Sequence, residues 1–210
     1  MSKDDVVFGE VAWNDADLGS GGGGSNSFLR LQEGDNTVRV LGNPVQAYVH
    51  WLDLPNGKKQ KVNSPISDPE LVRRLEEAGF PKKATWFLRV LDRSDQTFKI
   101  LEVGPQIYRG IKALYENKKW GPVSKYDITI KKGKKGTNPL YNVSPDPAEP
   151  LPSELKAQLA EFTEKVKIEN FIKPAEPAKV RELLGWSAET TSSSKGASST
   201  SEEFDYDFET

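Results

Sequence analysis

Residues 107–136 read IYRGIKALYENKKWGPVSKYDITIKKGKKG, and this stretch sets the pattern for the rest of the chain. Its apolar residues Ile107, Ile111 and Leu114 recur at intervals of four and three, which predicts one face of an α-helix. A Gly-Pro pair then ends the helical pattern. Over residues 126–131 apolar and polar side chains alternate, which predicts a half-buried β-strand. The glycines of the KKGKKG motif that follows are typical of a turn.

The same stretch concentrates positive charge and aromatic rings. Nine Lys or Arg residues lie between Arg109 and Lys135, against two acidic residues. The aromatic residues interleaved with these cations are Tyr108, Tyr115, Trp120, Tyr126 and Tyr141. Cations that contact phosphates and flat rings that stack on bases are what binding of single-stranded nucleic acid requires. The alternative interpretation is a solvated basic surface whose aromatic residues belong to the core.

Outward from this stretch, β-strand patterns outnumber helical ones. Strands are predicted at 37–41, 45–54, 85–91, 97–103, 126–130 and 140–143. Asn56-Gly57 predicts a tight hairpin turn, and Ser67-Asp68-Pro69 predicts the start of a helix. The short connections leave no room for β-α-β units. The sequence therefore predicts a mainly β protein with appended helices, built on a Greek-key barrel of the oligonucleotide-binding (OB) type.

Composition divides the chain into four predicted parts. Residues 1–27 form a flexible acidic arm that ends in a glycine-rich linker, and residues 28–150 form the predicted OB domain. Residues 151–186 form a helical extension in which apolar residues keep helical spacing. Residues 187–210 form a disordered Ser/Thr-rich linker and an acidic tail that contains three aromatic residues.

Charge follows these divisions. The 210 residues carry a net charge of −2, yet residues 28–145 alone carry +9, whereas residues 1–27 carry −4 and residues 187–210 carry −5. A basic body with acidic ends indicates a polyanionic partner for the body. The acidic ends are expected to compete with that partner or to bind other proteins.

The residue types that are missing exclude several kinds of chemistry. The chain has no cysteine, which excludes disulfides, thiolate metal sites and thiol nucleophiles. Its single histidine, His50, makes a histidine metal site or a catalytic triad unexpected, and no carboxylate cluster has the spacing of a nuclease site. We expect no metal, no cofactor and no enzymatic activity. No apolar run approaches the ~20 residues of a transmembrane helix, so we expect a cytoplasmic protein with no membrane partner.

The candidate contacts to nucleic acid divide into cations and rings. The cations predicted to contact phosphates are Lys58, Lys59, Lys61, Arg89, Arg109, Lys112, Lys118, Lys119, Lys131, Lys132, Lys134 and Lys135. The rings predicted to stack on bases are Tyr48, Trp51, Phe87, Tyr108, Trp120 and Tyr126. Phe87 and Arg89 share one face of a predicted strand, and that face is favoured as the binding face.

The C-terminal tail is a second candidate site. It alternates carboxylates with rings over Glu202, Glu203, Phe204, Asp205, Tyr206, Asp207, Phe208 and Glu209. A tail that only improved solubility would not need three rings, whereas a peptide that docks in a basic-rimmed pocket would need both features. We predict that the tail binds partner proteins or mimics DNA at the basic surface of its own chain.

Several motifs together resemble a known family. The motifs KILEVGP (99–105), WGP (120–122), YDI (126–128) and YNV (141–143), with FLRLQEGD (28–35), are similar to those of the bacteriophage single-stranded DNA-binding proteins related to the helix-destabilising protein of T-even phages. The resemblance covers residues 28–145 and the tail. It implies an OB barrel with single-stranded DNA across one face, and a tail that contacts phage replication proteins such as polymerase and helicase or primase.

Two features depart from that family. The T-even protein carries a zinc subdomain between its barrel strands, whereas residues 62–80 here contain no cysteine or histidine and have the pattern of a plain helix. The T-even N-terminus is basic and supports cooperative binding, whereas residues 1–27 here are acidic. We therefore expect no zinc and no strong cooperativity by that route.

These observations predict a sequence-independent single-stranded DNA-binding protein, monomeric or weakly self-associating on DNA. The resemblance places it in phage DNA replication, recombination and repair, in the cytoplasm of an infected bacterium, where it protects single strands and holds them open. Two alternatives remain: an RNA-binding OB protein, and a non-enzymatic scaffold protein whose basic surface binds an acidic protein.

Overall fold

The fold is organised around one strand of 20 residues, β1 (Gly34–Asp53). The computed structural model describes residues 27–186, so the predicted acidic arm (apart from Ser27) and the predicted tail lie outside the described residues. The other strands are β2 (Lys59–Asn63), β3 (Lys83–Asp92), β4 (Thr97–Val103), β5 (Tyr126–Lys132) and β6 (Tyr141–Ala148). The helices are α1 (Pro69–Glu77), α2 (Pro105–Glu116), α3 (Ser153–Lys165) and α4 (Pro177–Leu183), with short 3-10 helices at Val123–Lys125 and Ile168–Asn170.

Strand β1 merges two strands that the sequence predicted as separate, at 37–41 and 45–54. The pairing of β1 with β3 shifts register between Leu41 and Val45, which is where the sequence pattern had placed a break. Gly42 adopts a positive φ of 74° there, a conformation that glycine tolerates without strain. The irregularity therefore interrupts the ladder locally without ending the strand.

The six strands form one antiparallel sheet in the order β4-β3-β1-β5-β6, with β2 paired to the end of β1. Within residues 27–186 no ladder joins β4 to β6, so the sheet is not closed. Residues 27–29 lie along β4 instead: the Leu29 N–H donates to the Ile100 carbonyl at 2.9 Å, and the Ile100 N–H donates to the Ser27 carbonyl at 2.6 Å. The prediction of a mainly antiparallel β protein with a few helices is confirmed.

Helix α1 begins where the sequence predicted a helix. Asp68 caps it by accepting a hydrogen bond from the Leu71 N–H at 2.9 Å, and Pro69 fits the first turn. Leu71 and Leu75 are buried against the inner side of the β1–β2 hairpin, where α4 adds Val180. In the described part of the chain no helix is long and apolar enough to cross a membrane.

Helix α2 forms where the spacing of Ile107, Ile111 and Leu114 predicted a helix. Ile107 and Ile111 enter the main core with side chains from four strands of the sheet. Gly110 lies on the side of α2 that meets β6. A Cβ at this position would come within 2.8 Å of a methyl group of Val143. The absence of a side chain therefore allows the helix and the strand to approach closely.

A buried ion pair ties β1 to β5. Arg39 is fully buried, and its Nε donates to Asp127 at 2.5 Å. Its Nη1 donates to the Glu149 carbonyl at 2.8 Å. Arg93 donates to the second carboxylate oxygen of Asp127 at 2.9 Å. The hydrogen bonds of Arg39 and Arg93 therefore stabilise the fold.

The two faces of the sheet carry different covers. The front face is defined by Leu88 and Val90 and is covered by α2. The back face is defined by Ala47, Phe87 and Ile100 and is covered by the C-terminal arm, residues 151–186. Ile168 of the arm is fully buried there, and the partly buried side chains packed around it are Phe28, Val45, Phe162, Val166, Phe171 and Ile172.

Candidate nucleic-acid interface

The front face continues beyond the core into an exposed patch on β1 and β3. Gln46 lies opposite Trp86 in the ladder, and Tyr48 lies opposite Ala84, so these side chains share one face. Tyr48 is 44% exposed, and its hydroxyl accepts a hydrogen bond from the Gln46 amide at 3.0 Å. The ring of Tyr48 is therefore held in place while its surface stays open to solvent.

A cation and a ring stack border this patch. The Lys82 Nζ lies 5.3 Å from the centre of the Tyr48 ring. On the other side, the rings of Trp86 and Tyr108 stack in parallel, with centroids 4.0 Å apart and an interplanar angle of 3°. Both rings are partly buried against the core. The patch thus combines an open ring, an ammonium group and a second aromatic surface.

His50 fixes the chain segment that presents Lys82. The imidazole is fully buried, with Nδ1 2.7 Å from the Phe80 carbonyl and Nε2 3.0 Å from the Ser64 hydroxyl. The carbonyl can only accept, so Nδ1 carries the proton and donates to Phe80. His50 is a packed residue that joins β1 to the segment after α1.

Two of the predicted stacking rings are in the interior, and those predictions are wrong for this structure. Phe87 is 3% exposed because the C-terminal arm covers its face of β3. Tyr126 is 1% exposed in the main core, and burial raises the pKa of its hydroxyl above the ordinary value. A sealed ring has no surface to offer a base, so both are core residues.

Trp51 is exposed but lies on the other side of β1 from Tyr48. The two residues are three positions apart, and side chains alternate along a strand, so their rings point to opposite faces. Trp51 is 48% exposed and lies opposite Lys61 of β2. The Lys61 Nζ pairs with Glu102 at 2.5 Å. One extended strand lying on the front face would not reach both Tyr48 and Trp51.

Several predicted phosphate contacts already have partners. Lys59 pairs with Asp53 at 2.5 Å, Lys112 with Glu116 at 2.8 Å, and Lys131 with Asp35 at 3.8 Å. Lys132 donates to the Leu31 carbonyl at 2.9 Å, and the hydrogen bond to Glu116 raises the pKa of Lys112. Exposed ion pairs contribute little to stability, so a phosphate can replace the carboxylate partners of the exposed lysines.

The remaining predicted cations lie in varied surroundings. Within residues 27–186, Arg109, Lys118, Lys134 and Lys135 are exposed and have no ion-pair partner. Lys119 Nζ lies 5.3 Å from the centre of the Trp120 ring, which itself packs 5.7 Å from Tyr126. Arg89 lies on the covered back face, and its buried Nε has no hydrogen-bond partner. Lys58 is exposed at the β1–β2 turn.

The predicted lysines near the two β-hairpin turns lie in two separate regions. Lys59 pairs in register with Asp53 at one end of β1, whereas Lys132 pairs with Gly34 at the other end. The β1–β2 turn and the β5–β6 turn are thus separated by the length of a 20-residue strand. Tyr48 of the front patch lies between the two turns along β1.

The predicted lists of phosphate and base contacts omitted three residues of this surface: Lys82, Trp86 and Tyr115. Tyr115 on α2 is 60% exposed, the most exposed aromatic side chain in the described residues. The helical spacing of Tyr108, Lys112 and Tyr115 was a signal that could have found it. Lys82 and Trp86 could not be selected from sequence because their placement depends on the packing of α1 and α2. Within residues 27–186 no three His, Cys, Asp or Glu side chains are grouped to hold a metal ion.

Comparisons with known proteins give one relevant likeness. The chain is 27% identical over 145 residues to a protein of Escherichia phage T5 described as "Probable ssDNA-binding protein". The match covers 58% of this chain and 56% of the phage T5 protein, so this chain matches about half the length of that relative. No family model matches the chain, and no solved structure matches it. The closer relation to the T-even proteins stays a prediction.

Proposed function

We propose that this protein binds single-stranded DNA without sequence preference and acts without catalysing a reaction. The observation that carries the proposal is the open Tyr48 ring, with Lys82 over its face and the Trp86–Tyr108 stack beside it. Every base has a flat face, so stacking on such rings tolerates any sequence. The phage T5 relative supports this reading because its description names the same ligand.

Phosphate contacts are proposed for cations on the front face, on α2 and at the β5–β6 turn. On the front face and α2 they are Lys82, Arg109 and Lys112, and at the α2 end and the β5–β6 turn they are Lys118, Lys119, Lys131, Lys134 and Lys135. Tyr48, Tyr108 and Trp120 are the proposed stacking rings. Each phosphate that is neutralised releases counterions, so affinity falls as salt is raised. The slope of the logarithm of the binding constant against the logarithm of the salt concentration is expected to be about −0.7 per phosphate.

The strand order supports an OB-type architecture. A long bent strand shared by two parts of the sheet, and a helix between the fourth and fifth strands of the chain, are compatible with a five-stranded, partly open Greek-key barrel. We propose that the body of residues 28–150 is such a barrel, with β2 and α1 inserted after β1. Residues 27–29 would then occupy part of the gap between β4 and β6.

The biological role extends the same proposal. A protein that binds the single strand but not the duplex protects single strands and holds them open, because binding shifts the equilibrium by mass action. We propose that it does so in phage DNA replication, recombination and repair, in the cytoplasm of an infected bacterium. The tail at residues 202–209 is proposed to recruit replication proteins through its carboxylates and rings.

A titration with poly(dT) tests the proposed function. Trp86 lies beside Tyr48, so base stacking is expected to quench tryptophan emission, and the affinity is expected to fall as salt is raised. An absence of quenching and of any affinity at low salt would refute the proposal. RNA of the same sequence serves as the competitor: tighter binding of RNA would favour the RNA-binding alternative, and binding of neither would favour a protein scaffold.

The tail has its own test. If residues 202–209 compete with DNA, deleting residues 202–210 is expected to tighten binding to oligo(dT) and to flatten its dependence on salt. A full-length protein with an acid-to-amide tail (Glu202→Gln, Glu203→Gln, Asp205→Asn, Asp207→Asn and Glu209→Gln) is the matched control that keeps the rings. An unchanged isotherm in both would leave only the recruitment of partner proteins.

A further inference from the structure

The exposed side of α2 continues the front patch. Tyr108, Lys112 and Tyr115 are spaced by four and three residues, so they follow one another on one side of the helix. At 1.5 Å per residue, Tyr115 lies about 10 Å further along the helix axis than Tyr108. The first of these residues stacks on Trp86, and the last is 60% exposed. A row of alternating ring and cation thus runs from Tyr48 across the sheet and along α2.

From this row we propose the path of the bound DNA strand, and this path rests on the proposed function. Single-stranded DNA crosses the front patch at Tyr48 and then follows the side of α2, with a base stacked on Tyr115 and a phosphate on Lys112. Tyr115 becomes a base-stacking residue, a role that none of the comparisons assigns to α2. The strand does not cross the back faces of β3 and β4.

The back face supports this path by being closed. In OB folds, oligonucleotides commonly bind to the outer face of the strands that correspond to β3 and β4, which is the back face in this protein. Here Phe87 and Ile100 on that face are 3% and 0% exposed under the C-terminal arm. The Asn63 side chain also donates to the Phe171 and Lys173 carbonyls at 2.8 Å each, which fastens the arm across the end of the sheet. A DNA strand bound across the back face would have to displace Ile168, which is fully buried.

Charge along α2 favours a polyanion over a protein. Residues 105–120 carry Arg109, Lys112, Lys118 and Lys119 against Glu116 alone. The Lys112–Glu116 contact is an exposed pair four residues apart, with both side chains more than half exposed. Such a pair contributes little to stability and opens readily for a phosphate. An exposed tyrosine among unneutralised cations matches the combination that single-stranded nucleic acid requires.

The test measures the affinity of full-length variants for fluorescein-labelled dT20 by anisotropy. Tyr115→Ala is expected to weaken binding about 5- to 150-fold, which is the range for losing one base stack. Tyr115→Phe keeps the ring and is expected to stay within about twofold of wild type. Lys112→Ala is expected to reduce the salt slope by about 0.7. Lys165→Ala is the matched charge control, because Lys165 also pairs four residues away, with Glu161.

Trp51 provides the decisive comparison, because its ring is as exposed as that of Tyr48 but lies on the other side of β1. The path predicts that Trp51→Ala changes the affinity by less than about twofold, far below the loss of one base stack. Wild-type affinity in Tyr115→Ala together with a large loss in Trp51→Ala would overturn the path while leaving the proposed function standing. A wild-type protein that fails to bind dT20 would overturn both. Equal melting temperatures for all variants confirm that each is folded.

Discussion

The front and back faces of the sheet differ in their exposure to solvent. Tyr48 on the front is 44% exposed, whereas Phe87, one strand away on the back, is 3% exposed. Both are aromatic side chains on strands with similar alternation. The back face is closed by side chains of the C-terminal arm, more than 70 positions further along the chain. The comparison teaches that the cover over a face, and not the pattern of its strand, decides whether the face can bind a ligand.

The largest expected effect comes from loosening the back cover. Ile168→Ala removes a fully buried side chain between the arm and the sheet, so the free energy of unfolding is expected to fall by about 2–5 kcal/mol. Ile66→Ala is the matched control, because Ile66 is 63% exposed and its loss is expected to cost less than about 0.5 kcal/mol. Urea unfolding measures both. Equal stability in the two variants would show that the arm is not part of the cooperative fold.

A second variant tests how α2, which carries part of the front surface, packs against β6. Gly110→Ala would place a methyl group within 2.8 Å of Val143, and overpacking of this kind costs about 1–3 kcal/mol. Adding Val143→Ala removes the nearest methyl group but keeps the Val143 Cβ at 2.9 Å, so it relieves part of the overpacking. The double variant is therefore expected to cost less than the sum of the two single changes. A double-mutant cycle by urea unfolding checks this. Additive costs would mean that α2 and β6 do not touch at this point.

The front face is tested through its most open ring on the sheet. Tyr48→Ala is expected to weaken binding of oligo(dT) by about 1–3 kcal/mol, because one base loses its stacking surface. Lys82→Ala, which leaves the ring in place, is expected to weaken binding by less and to reduce the salt slope. Equilibrium anisotropy at two salt concentrations separates the two contributions. An unchanged affinity in Tyr48→Ala would remove the front patch from the binding site.

The smallest expected effect concerns Asp95, in the turn between β3 and β4. The hydrogen bond from Lys99 lowers the pKa of Asp95 to about 2, and the Thr97 hydroxyl contributes as well. The pKa is depressed in the folded state, so the stabilisation is present above about pH 4 and is lost as the pH falls towards 2. Asp95 is 46% exposed, so solvent screening limits the effect to below about 1 kcal/mol.

Comparing acid unfolding of wild type and Asp95→Asn measures this contribution. The variant is expected to lose less stability than wild type between pH 4 and pH 2, and to match its slope above pH 5. Asp53→Asn is a matched control, because Asp53 also accepts from a lysine in an exposed pair. Identical acid limbs in wild type and Asp95→Asn would show that the Lys99 contact is not formed in solution.

Much of the fold could be predicted because its signals are local. The cap and proline at Asp68-Pro69 marked α1, and the spacing of Ile107 and Ile111 marked α2. The break in β1 was a false signal: Gly42 and Pro44 usually end strands, but here the ladder resumes at Val45 after a register shift. Local chemistry locates a bend, and only the pairing partner β3 decides whether the strand continues.

The site was less predictable because it depends on contacts between distant residues. The alternation of side chains along β3 placed Phe87 and Arg89 on one face of the sheet. Whether that face is open depends on Ile168 and its neighbours in the C-terminal arm. Tyr115 carried no strand pattern, and its exposure follows from how α2 packs on β6. The lysines make residues 28–145 basic, but the pairing of β1 separates the two turns that carry many of them.

Hydrogen–deuterium exchange with and without oligo(dT) tests the central claim most directly. The front-face account predicts that DNA slows exchange in the segment around Gln46–Tyr48 and in α2, while residues 162–172 exchange at the same rate in both samples. Exchange reports local opening of each segment, so it reads the two faces in one experiment. Protection of residues 162–172 by DNA, or faster exchange there with no change in α2, would contradict the account.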